Sequence, residues 1–117
     1  MKSKSMLLMA VTAILFFVSC KKDSIPQMTF KVAEGKANAS GEYTITGYIS
    51  SEVRLDKVTL TKEGQTTPFF IDDATAKNKN QYDFTYLVTG IIADTYIIID
   101  VYDQGGGKIT QRFLIKK

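Results

Sequence analysis

Histidine and tryptophan are missing from this 117-residue sequence, and cysteine occurs once, at Cys20. No disulfide can form within the chain, thiolate and imidazole metal sites have no ligand set, and neither a Ser-His nor a Cys-His nucleophile pair can be assembled. Without imidazole, general acid-base work would fall to a carboxylate, a lysine or a tyrosine. The neighbouring carboxylates Asp72 and Asp73 do not offer the separation and cleft that glycoside hydrolysis requires. The chain is therefore expected to be non-catalytic and to carry no cofactor.

An excess of one charge is lacking too. Lys and Arg number 15 against 12 Asp and Glu, and since Lys2 and Lys4 precede Cys20, the balance from Cys20 onward is 13 against 12. Basic residues there never cluster beyond pairs and do not interleave with aromatics, so nucleic acid is not an expected partner. The one long apolar stretch, Met6 to Val18, has thirteen residues with Thr12 inside it. A spanning helix needs about 20.

That stretch, the positive start at Lys2 and Lys4 and the small Ser19 before Cys20 have the three parts of a secretory signal. Phe17-Val18-Ser19-Cys20 resembles the lipobox of bacterial lipoproteins, with Phe17 in place of the usual Leu. The resemblance implies cleavage between Ser19 and Cys20 and lipidation of the Cys20 thiol with acyl chains such as palmitate. Several acyl chains together hold a protein stably on a membrane. Ser19-Cys20-Lys21-Lys22-Asp23 is similar to the start of many lipoproteins of the Bacteroidota. Lys21 after the cysteine implies outer-membrane rather than inner-membrane residence, with cell surface and periplasmic face both open. Residues 1–19 then form the signal peptide, 20–27 the lipidated cysteine and a polar tether around Pro26, and 28–117 the folded domain.

Beyond Met28 no segment keeps a 3.6-residue apolar period, whereas period-two alternation recurs between turn signals. Met28 to Val32 reads as a first strand, with Met28, Phe30 and Val32 on one face, and Glu34 to Gly41 as a loop. Tyr43, Ile45, Gly47 and Ile49 alternate with Thr44, Thr46 and Tyr48. Val53 and Leu55 lie at odd positions and Val58 and Leu60 at even ones, so a bulge or turn is expected near Asp56-Lys57. Pro68 marks the short strand from Thr66 to Ile71 as an edge, and Asp72 to Asn80 has a loop composition. Tyr82, Phe84, Tyr86 and Val88 alternate again. Tyr96 to Tyr102 reads as a strand buried on both faces, and Gly105 to Gly107 as a hairpin turn into Lys108 to Ile115. About seven strands so spaced predict an all-β, immunoglobulin-like two-sheet β-sandwich.

Leu87, Gly90, Tyr96, Ile98, Asp103 and Gly105 resemble the end of immunoglobulin-like (fibronectin- or cadherin-like) bacterial surface modules, and Ile45, Gly47, Ile49, Leu55, Val58 and Leu60 resemble their second and third strands. The resemblance implies a tyrosine corner in which the Tyr96 hydroxyl bonds backbone near Gly90. It implies no single activity. Tyr48, Tyr82 and Tyr86 are candidates for a sugar-stacking platform, the alternative being that sheet aromatics fill the core. Asp100 and Asp103 are candidate Ca²⁺ ligands, the alternative being that they shape a turn and guard an apolar strand. The expected function is a lipid-anchored binding module of the cell envelope, serving a protein partner or as accessory subunit of an outer-membrane complex. A glycan-binding lipoprotein of a polysaccharide-uptake system is the alternative, and a Ca²⁺-dependent adhesion module a third.

Overall fold

The computed structural model describes residues 25–117; Cys20, Ser19 and the leader lie outside them. Eight strands follow in order: β1 (Gln27–Phe30), β2 (Glu34–Lys36), β3 (Tyr43–Ser50), β4 (Leu55–Lys62), β5 (Phe70–Asp72), β6 (Gln81–Val88), β7 (Thr95–Asp103) and β8 (Lys108–Lys116). They form a three-stranded sheet, β1-β3-β6, and a five-stranded sheet, β2-β8-β7-β4-β5. All pairings are antiparallel except β2 with β8, which is parallel. The sequence-adjacent β1 and β2 lie in different sheets, so the chain crosses between layers on one side of the sandwich. The two sheets make the fold an all-β, two-layer sandwich.

Alternation set by the pleat places the inward residues. Ile45 and Ile49 of β3, Phe84, Tyr86 and Val88 of β6, Val58 and Leu60 of β4, and Ile97, Ile99 and Val101 of β7 are all buried. Phe113 of β8 stacks on Tyr43 and contacts Phe30, whose ring meets Phe84 edge-on. Each such buried aliphatic or Phe side chain contributes about 1.5–3 kcal/mol. Gly47 permits this packing: a Cβ there would stand 2.4 Å from the Thr29 carbonyl oxygen and 2.6 Å from the Phe84 ring.

The expected register shift falls where the odd-even switch placed it, between Leu55 and Lys57. Other expectations need correction. β1 ends at Phe30, and Val32 is exposed. Glu34 to Lys36, read as loop, is a strand, because Gly35 fits against the Tyr43 ring and lets the backbone lie beside Leu114 to Lys116. β7 is not buried on both faces: Tyr96, Ile98, Asp100 and Tyr102 point to a half-covered outer face. β5 starts later than expected, after Pro68, at the edge of its sheet.

Candidate functional site

The open side of the sandwich, where the edge strands β5 and β6 face each other, is closed by a polar knot around Asp72. Its register opposite Val58 turns this carboxylate inward, and it is buried. Oδ1 accepts the Thr75 backbone N–H at 2.9 Å and longer bonds from Ala74 and Ala76. Oδ2 accepts the Thr75 hydroxyl at 2.7 Å, the Tyr86 hydroxyl at 2.7 Å and the Tyr82 hydroxyl at 3.4 Å. Burial pushes the Asp72 carboxyl up, but the bonds from Thr75, Tyr86 and the Ala76 and Ala74 amides outweigh it and hold the group below the usual carboxylate range. Burial, the hydrogen bond to Asp72 and its negative charge push the Tyr86 phenol well above the ordinary tyrosine value. This group is a donor-saturated anion, suited to fixing a loop rather than to proton transfer. Nothing in the loop-like composition of Asp72 to Asn80 signalled it; only its inward register does.

The three tyrosines considered as a platform are not brought together. Tyr82 and Tyr86 stand opposite Ile49 and Ile45 on the inner face, while Tyr48 stands opposite Thr29 and Asp83 on the outer face, exposed. The tyrosine corner is also absent among the described residues. Inward positions on β7 belong to Ile97, Ile99 and Val101, so Tyr96 turns outward beneath Arg112, whose guanidinium carbon lies 4.1 Å from the ring centroid. The Lys62 ammonium donates instead to the Thr89 carbonyl beside Gly90, at 2.8 Å.

Asp100 and Asp103 lie on opposite faces of β7. Asp100 accepts from the Thr110 hydroxyl and lies 3.9 Å from the Lys108 ammonium. Asp103 Oδ1 accepts the Gly105 and Gly107 N–H groups at 2.8 and 2.7 Å, shaping the glycine turn between β7 and β8, and its buried Oδ2 has no hydrogen-bond partner among the described residues. Among the described residues no group of three or more His, Cys, Asp or Glu could hold a metal ion.

Two open surfaces remain. Phe70 and Ile71 are exposed on edge strand β5, with Phe69 exposed just before it, Leu87 on the outer face of β6 and Ile92, 88% exposed, in the loop after β6. At the other end of the sandwich, a polar hollow of about 360 Å³ lies among Gln27, Ser50, Ser51, Glu52, Asn80 and Gln81, with Ile25 at its side. Its polar residues come from three strands and two loops, so no local motif announced it. The sequence matches no protein-family model and no curated protein.

Proposed function

We propose that the chain is a non-catalytic, lipid-anchored module of the bacterial outer membrane that holds a protein partner along β5. The observation carrying this reading is the exposed apolar run Phe69, Phe70 and Ile71, whose last two residues lie on β5, a strand that has β4 as its one neighbour among the described residues. An edge strand presents unpaired backbone N–H and C=O groups, so an extended partner segment can add to it while its side chains meet Phe70 on one face and Ile71 on the other. Pro68 before the strand and Asp72-Asp73 at its far end keep the pairing short, which favours a defined partner over open-ended aggregation. Leu60 pairs with Phe70 near the end of β4, whereas Gln27 opens β1 seven residues after Cys20; the apolar run therefore stands away from the end of the sandwich at which β1 begins.

The anchor rests on Lys2, Lys4, the apolar stretch and Cys20. Both parts are tested in cells. Radiolabelled palmitate is expected on the wild-type chain and not on Cys20→Ala. A photo-crosslinking residue at position 71 is expected to yield one discrete adduct that disappears with Phe70→Lys, while the same residue at Thr110, on the outer face of β8, yields none. Equal crosslinking from both positions would remove the β5 reading.

A further inference from the structure

Each of the six tyrosines but one is committed to a partner within the protein. Tyr43 stacks on Phe113, Tyr82 and Tyr86 bond Asp72, Tyr96 lies under Arg112, and Tyr102 lies between the ammonium groups of Lys57 and Lys108. Tyr48, 39% exposed, has no hydrogen bond, ring or cation partner among the described residues. It stands at the centre of the three-stranded sheet's outer face, in a cross-strand row with Thr29 and Asp83. The next row on that face is Gln27, Ser50 and Gln81, about 6.6 Å further along the strands, and these three line the polar hollow.

We infer that Tyr48 and this hollow form a subsite for a neutral sugar ring, distinct from the β5 edge. An apolar ring face takes the C–H face of a sugar, and the amide, hydroxyl and carboxylate groups beside it match the ring's hydroxyls. The hollow lies at the lower end of ordinary ligand-pocket volumes, enough for a short saccharide. Its rim is held in advance: the Asn80 side-chain amide donates to the Ser51 and Glu52 carbonyls at 3.0 and 3.3 Å, and the Asn80 carbonyl accepts the Ser51 N–H at 2.8 Å. A preordered rim loses little freedom on binding. Asp83, in the same cross-strand row as Tyr48, disfavours anionic sugars, which makes the expected ligand neutral.

A neutral sugar ring can arrive as a free polysaccharide or as the headgroup of a glycolipid, because Ile25 puts the hollow at the end of the sandwich nearest the tether. The test follows the Tyr48 ring and the Ser50 and Asn80 amides by NMR, using the full chain in detergent micelles. One arm adds cello-, malto-, manno- and xylo-oligosaccharides; the other mixes a neutral galactolipid into the micelles. Saturable shifts are expected in one arm, and the arm that responds names the source. Tyr48→Ala is expected to weaken binding at least tenfold, Tyr48→Phe to keep it, and Asp83→Ala and Gln81→Ala, which leave the ring untouched, to weaken it severalfold. Ile71→Lys is expected to change nothing here. Absence of shifts in both arms, or affinity unchanged by Tyr48→Ala, overturns the inference.

Discussion

The Tyr86 hydroxyl donates to Asp72 Oδ2 at 2.7 Å, and this bond ties the edge of the three-stranded sheet to the edge of the five-stranded one. The Phe70 ring packs on the same tyrosine, 5.4 Å between centroids, so the polar and apolar closures of the open side share one side chain. Removing the hydroxyl while keeping the ring separates the two. Tyr86→Phe is expected to lower unfolding free energy by about 1.5–3 kcal/mol, the range for a hydrogen bond to a charged group. Asp72→Ala is expected to cost more, because it also releases the Thr75 contacts and strands the buried Tyr86 hydroxyl. Urea denaturation of the three proteins checks both values.

The same pair sets a pH signature at both ends of the scale. Asp72 is depressed in the fold, so its contribution is fully present above the unfolded carboxylate pKa of about 3.9 and is lost as pH falls below that value. Tyr86 is raised, so its contribution is fully present below the unfolded phenol pKa of about 10 and is lost as pH climbs above it, where only the unfolded chain ionises readily. Denaturation midpoints from pH 2 to 6 are expected to fall less steeply toward acid in Asp72→Asn than in the wild type. Between pH 9 and 11 the alkaline fall is expected to be shallower in Tyr86→Phe.

Gly47 and Gly64 are expected to respond to alanine for different reasons. At Gly47 the new methyl would meet the Thr29 carbonyl and the Phe84 ring, and overpacking of this kind costs about 1–3 kcal/mol. Gly64 has nothing within 4 Å but has φ of +86°, so alanine there meets only the left-handed backbone penalty, about 1 kcal/mol. Thermal melts of both variants order the two effects, with Gly47→Ala melting lower.

On the exposed apolar surface, Ile71 and Ile92 are 50% and 88% exposed, so Ile71→Lys and Ile92→Asp give up little buried apolar area. Their unfolding free energies are expected within about 0.5 kcal/mol of the wild type. A large loss of stability in Ile71→Lys would show that this residue packs against the fold and is not held ready for a partner.

The long strands were legible because period-two alternation is written into each segment. Ile45 and Ile49, Phe84 and Val88 all declared their shared faces. The short edge strands were not legible. Glu34-Gly35-Lys36 has no alternation to read, and it is a strand only because the end of β8 lies beside it. Similarly, Asp72 resembles a loop residue until β4 places it opposite Val58. The candidate tyrosines divided in the same way: Tyr48 could be set on the face opposite Ile45 and Ile49, but whether Tyr82 and Tyr86 joined it depended on the register of β6 against β3.

Alternation, the bulge near Asp56-Lys57 and the lack of imidazole chemistry were determined by the sequence alone, since each follows from local backbone geometry or from the side chains present. The tertiary structure decided which strands became neighbours and in what register. That choice depends on loop closure and on packing between residues far apart in the chain. It buried Asp72 among two tyrosines and a threonine, turned Tyr96 away from Gly90, and left Tyr48 facing outward beside a polar hollow with no partner of its own among the described residues.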